Sequence, residues 1–197
     1  VNKLQQIILD SSIRFHLRRC AIEVASKVEC ATSELWQLFQ NIIATGDAAL
    51  TREVWQILNS VSSWFPFLHD RGLVAAWLAS DDPNERYKAI TLIRNHIKSY
   101  PNECVDLLSP YVGVSDEWNT EILHIIWDRV LSTDRRIFDL YMRLLADGTL
   151  TNEGPKDFWM SIHDLPKKQP DWAAEALGKH LRLAMANYRS DDSRWHT

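Results

Sequence analysis

Apolar residues return in register every 33 to 36 positions along this chain, and no other feature limits the fold as much. Arg19, Arg52, Tyr87, Thr120 and Lys156 mark the register, with spacings of 33, 35, 33 and 36. Two residues after each marker stand Ala21, Val54, Ala89, Ile122 and Phe158, and three after it stand Ile22, Trp55, Ile90, Leu123 and Trp159. Five after it come Val24, Ile57, Leu92, Ile125 and the exception Ser161, and six after it come Ala25, Leu58, Ile93, Ile126 and Ile162. Nineteen of these twenty positions are apolar in a chain that is 46% apolar overall, so the pattern exceeds composition twofold. Offsets of two, three, five and six lie on one side of an α-helix.

A second set of helices alternates with the first, starting near Leu35, Leu73, Val105, Ile137 and Trp172 at spacings of 38, 32, 32 and 35. Two helices in each such interval, repeated about five times, is the pattern of stacked helical hairpins, because one pair cannot bury both of its apolar faces alone. Breaks fall near Asp10-Ser11, Glu29–Ser33, Thr45–Asp47, Pro66–Gly72, Asp81–Pro83, Tyr100-Pro101, Gly113–Asp116, Ser132–Asp134, Gly148–Pro155 and Pro166–Asp171. Several carry a side chain suited to capping the next helix, such as Asp82 ahead of Pro83 and Asp134 ahead of Arg135. Period-2 alternation bounded by turns is missing, and six glycines in 197 residues are too few for a turn-rich β fold. The expectation is an all-α chain. Its arrangement is expected to be a right-handed α-solenoid of about five hairpins, forming a single domain over residues 1–197.

The segment Asp81-Asp82-Pro83-Asn84-Glu85-Arg86-Tyr87-Lys88-Ala89-Ile90 resembles the turn and second helix of a HEAT repeat, with an acidic turn, a proline and basic residues ahead of an apolar stripe. Gly46-Asp47-Ala48-Ala49-Leu50-Thr51-Arg52-Glu53-Val54 is similar, with alanine where the proline would stand, and the other three units depart further. The texture is also similar to helical-repeat regions of large bacterial signal-sensing ATPases. A HEAT-like resemblance implies a scaffold or a recognition surface more often than a catalyst.

Charge narrows the partners. Twenty-two basic and twenty-six acidic residues leave a net charge of −4, so no global field attracts nucleic acid or anionic membrane. The imbalance is concentrated in residues 101–154, where four basic residues face ten acidic ones. Cys20, Cys30 and Cys104 are odd in number and sit in apolar periodic runs, the usage of free thiols in a reducing, cytoplasmic setting. No apolar run approaches the length of a membrane span. The opening at Val1 suggests a piece of a larger protein, and the stripe Leu4, Ile7, Ile8 and Leu9 would then favour self-association through an uncovered repeat end.

Chemistry-bearing motifs are sparse. Glu121 and His124 have the spacing of a helical metal pair, but a di-iron site needs a second copy and further carboxylates. His16, Cys20 and Cys30 lack the tight knuckle and fourth ligand of a zinc site. No nucleophile elbow, phosphate loop or dinucleotide fingerprint occurs, so the reading is non-catalytic, with no cofactor and no metal. The alternative function is nucleic-acid binding on a concave helix face, drawing on Arg19, Lys27, Arg52, Lys88, Arg94, Lys98, Arg129 and Lys156. Glu23, Glu53, Glu121, Asp128 and Asp157 interleave with those cations, and phosphate binding requires a net positive stripe.

Two segments stand out as candidate partner contacts. Glu117, Glu121 and Asp128 are spaced by four and seven, which places them on one helix face for a basic protein partner, with Trp118 beside them as an aromatic anchor. Trp64, Phe65 and Phe67, around Pro66, follow a predicted helix end, and they read either as a hairpin cap or as an exposed anchor.

Overall fold

A computed structural model of the chain describes residues 2–28, 32–127, 134–146 and 165–192. Among these the secondary structure is helical, with no strand. The helices are α1 (Asn2–Leu9), α2 (Phe15–Val28), α3 (Ser33–Ala44), α4 (Ala48–Ser60), α5 (Trp64–Asp70), α6 (Leu73–Leu78), α7 (Pro83–His96), α8 (Pro101–Leu108), α9 (Asp116–Trp127), α10 (Arg135–Ala146) and α11 (Pro170–Asp192). A short 3-10 turn, Ser109–Tyr111, follows α8. The chain divides into two compact units, Val1–His96 and Ile97–Thr197.

Side-chain caps set many of the boundaries. The Thr32 hydroxyl accepts from the Leu35 amide at 3.2 Å to start α3, and Asp47 Oδ1 accepts from the Ala49 and Leu50 amides to start α4. Asp82 Oδ1 accepts from the Asn84 amide at 2.9 Å at α7, and Asp134 Oδ1 from the Arg136 amide at 2.8 Å at α10. Each bond satisfies an amide that has no partner inside its helix. Gly46 and Gly72 close α3 and α5 with φ of +72° and +68°, a region that a Cβ disfavours.

In the first unit α1 packs on α2, α3 on α4, and α6 on α7. The second helices also pack in succession, α2 on α4 and α4 on α7, while α1 reaches α3. The apolar columns give these helices their buried sides: Ala21, Ile22 and Ala25 of α2, Val54, Ile57 and Leu58 of α4, and Ala89, Leu92 and Ile93 of α7 are all buried. Trp55 and Ile90 are half-buried and Val24 is exposed. Of the opening stripe, Ile8 is buried, Leu4 and Leu9 are half-buried and Ile7 is exposed.

One sequence expectation requires correction. The predicted break at Pro66–Gly72 is helix α5 for most of its length, and the true break is the turn at residues 61–63. Pro66 is tolerated because it stands in the first turn, where a helix has no use for its amide hydrogen.

In the second unit α10 packs against α8, α9 and α11. Ile137, Phe138, Leu140, Tyr141, Leu144 and Leu145 give α10 its buried side, and Ile122, Leu123, Ile125 and Ile126 give α9 its own. Arg135 fastens α10 to α11 by two bonds to the Glu175 carboxylate, at 3.0 and 3.2 Å, and lies over the stacked rings of Phe138 and Trp172. Arg136 reaches back to Asn102 and Asp106 of α8. The fifth copy of the columns, Phe158 to Ile162, lies outside the described residues.

Candidate functional site

The two segments singled out from sequence have different fates. Trp64 is 1% exposed and Phe65 is 0% exposed, so both are core residues and neither is available as an anchor. Helix α5 turns them inward: Trp64 meets Phe39 at 5.1 Å and Phe67 at 5.2 Å between ring centroids, and Phe65 meets His96 at 5.4 Å. Phe67 is half-buried beneath the Arg71 guanidinium, which lies 3.6 Å from the ring centroid. These residues cap the hairpin.

On α9, Asp116 and Glu117 are exposed and occupy the first turn, where negative charge complements the helix dipole. The Ser115 hydroxyl accepts from the Trp118 amide at 3.2 Å and holds that turn. Trp118 is half-buried and stacks on Tyr111 at 4.2 Å, and buried Asn119 accepts from the Gly113 amide at 2.8 Å. Glu121 is half-buried and Asp128 lies outside the described residues; among the described members of the acidic face Glu117 is the exposed one. Elsewhere in the acidic segment, Asp106 and Asp139 are engaged by Arg136 and Arg135.

A different site emerges in the first unit. An open groove of about 560 Å³ is lined by Arg52, Trp55, Gln56, Asn59 and Ser60 of α4 and by Asn95 of α7. The α4 residues stand at offsets of three, four, seven and eight from Arg52, and so share one side of the helix. Asn59 donates to the Trp55 carbonyl at 2.7 Å and in turn accepts from Asn95 Nδ2 at 3.2 Å, which ties the two helices together across the floor. Lys88 Nζ lies 5.1 Å from the centre of the Trp55 ring, a cation–π contact. The Trp55 Nε1 hydrogen is buried without a hydrogen-bond partner.

Beneath the groove, Trp55 meets Trp77 edge-on at 5.5 Å, Trp77 meets Trp36 at 6.3 Å, and Trp36 meets Trp64 at 6.3 Å. The buried His96 ring faces the Leu58 carbonyl, 3.3 Å from Nε2. Burial holds its pKa below the ordinary histidine value, so it is a neutral donor there at pH 7.

No carboxylate, imidazole or thiol lines the groove; its polar groups are the Arg52 guanidinium, the Ser60 hydroxyl and the side-chain amides. Among the described residues no three His, Cys, Asp or Glu side chains converge as metal ligands. Cys20 is exposed on α2, and Cys104 is buried in α8 with burial pushing its thiol pKa up. No described helix is long and apolar enough to cross a membrane. The sequence offers Arg52 only among the cations of the nucleic-acid alternative and Trp55 only as a member of an apolar column, and no motif in it singles out Gln56, Asn59, Ser60 or Asn95. Their signal was a polar column: Ser60 and Asn95 both stand eight residues after a register marker.

No protein-family model, no curated protein and no solved structure matches this chain.

Proposed function

We propose that the chain is a non-catalytic protein-recognition or scaffolding element, built as a right-handed solenoid of HEAT-like helical hairpins and working in the cytoplasm. The observation that carries this reading is the succession α2 on α4 on α7, whose shared apolar columns leave a row of polar side chains outside the core. In the second unit the alternate helices follow the same logic, α8 on α10 and α10 on α11. Stacking of equivalent helices generates extended surfaces from which partners are read by helix faces and short loops. Free thiols at Cys20 and Cys104 suit a reducing compartment.

Two surfaces are offered for recognition: the groove along α4 and α7, and the exposed Glu117 edge of α9, which would face a basic partner. The test places a photo-crosslinking residue at Gln56 and, separately, at Glu117, followed by capture from lysate with and without nuclease. Protein adducts that survive nuclease support the reading. Adducts that vanish with nuclease favour the nucleic-acid alternative, and no adduct from either position removes both.

A further inference from the structure

The register places Arg19 of α2 and Arg52 of α4 in equivalent positions, but their surroundings differ in sign. Arg19 is neutralised twice, by Glu23 one turn along its own helix at 3.4 Å and by Glu53 on the neighbouring α4 at 3.1 Å. The residue that corresponds to Glu23 in the next unit is Gln56, and the one that corresponds to Glu53 is Lys88. Both acids that satisfy the first arginine are therefore replaced, one by an amide and one by a second cation. Arg52 makes no ion pair or hydrogen bond among the described residues, and Lys88 rests on the Trp55 ring. In a chain of net charge −4, the groove holds positive charge and no acid to balance it.

We propose that the groove between α4 and α7 binds an extended peptide segment through an acidic side chain received by Arg52 and Lys88. This rests on the protein-recognition reading above and specifies the partner's chemistry. The guanidinium has five donors in a fork that matches a carboxylate, and the Lys88 ammonium is held over the Trp55 ring that lines the same groove. Gln56, Asn59 and Asn95 each carry both a donor and an acceptor, which is what main-chain N–H and C=O groups require. From Arg52 to Ser60 the helix advances roughly 12 Å, the reach of about four extended residues. The groove is open to solvent, so an extended segment can enter it from the surface. Nucleic acid needs a longer series of cations than these two.

The test uses the intact chain and a fluorescein-labelled octapeptide of alternating serine and glutamate, read by fluorescence anisotropy at low salt. Peptides with glutamine or lysine in place of glutamate, and an oligothymidylate, serve as comparisons. The glutamate peptide should bind at least about tenfold more tightly than the glutamine peptide. It should also shift the Trp55 indole N–H resonance, assigned with Trp55→Phe. Arg52→Gln should weaken binding about tenfold. Lys88→Glu recreates the pairing seen between Arg19 and Glu53, so it should abolish binding while leaving the helical circular dichroism and melting temperature unchanged or raised.

Equal affinity for the glutamate and glutamine peptides, or undiminished binding by a folded Lys88→Glu variant, overturns the proposal. So does binding of the oligothymidylate in preference to the acidic peptide. Failure of every peptide while the crosslinker at Gln56 still captures protein rejects the acidic ligand alone. Loss of capture at both Gln56 and Glu117 rejects the recognition reading itself.

Discussion

Arg18 and Asp47 meet at 3.2 Å, and through that contact the first two hairpins share a single polar junction. Asp47 uses Oδ2 for the arginine and Oδ1 to cap α4, while Arg18 Nε donates to the Ile8 carbonyl at 2.7 Å at the end of α1. Arg18 is 8% exposed; its bond to the Ile8 carbonyl is buried and its bond to Asp47 is partly so. Arg18→Leu should destabilise the first unit by roughly 2 to 3 kcal/mol, because the Ile8 carbonyl and the Asp47 oxygen lose their donor. Urea unfolding of the single variants and of the double variant with Asp47→Ala is the measurement, and the two losses should fall short of additivity.

Acidification should weaken the first unit through His96. Burial lowers its folded pKa, so the unfolded chain binds the proton more readily and stability rises with pH across the window. The contribution is full above the unfolded value of about 6.5 and is lost as pH falls through the lower folded value. Urea midpoints should decline from pH 7 toward pH 5, and His96→Gln should flatten that slope.

Leu123 is 1% exposed in the middle of an apolar column on α9. Leu123→Asp places a charge on the buried side of α9 that Ile122, Ile125 and Ile126 share, and the cost should exceed about 4 kcal/mol. The variant should lose its cooperative melt or aggregate. A normal melt would show that the repeat register is misplaced.

The two described thiols should separate cleanly by reactivity. Cys20 is exposed, whereas Cys104 is fully buried and its pKa is raised by burial and by nearby Glu103. Iodoacetamide at pH 8 should label Cys20 within minutes and leave Cys104 unlabelled until denaturant is added, as followed by peptide mass spectrometry.

The fold was legible wherever burial follows the turn of a helix. Ala21, Ile22, Val54, Leu58, Ala89 and Ile93 could be placed from spacing alone, because side chains three and four apart must share a side. Asp82 and Asp134 likewise declared helix starts through their side-chain chemistry. Trp64 and Phe65 were ambiguous since Pro66 reads as a breaker, and only its position within the first turn makes α5 possible. The groove was hidden for another reason. Gln56 and Lys88 acquire meaning only by comparison with Glu23 and Glu53, and that comparison requires knowing that α2 lies on α4 and α4 on α7.

The four indoles that run from Trp64 through Trp36 and Trp77 to Trp55 carry an optical consequence. Successive rings at 6.3, 6.3 and 5.5 Å are near enough to exchange excitation before emitting, so light absorbed by the buried Trp64 can be emitted from the groove wall. A quencher or a bound carboxylate at Trp55 would then dim tryptophans it never touches, and the intrinsic emission of the first unit would report on the groove without any added label.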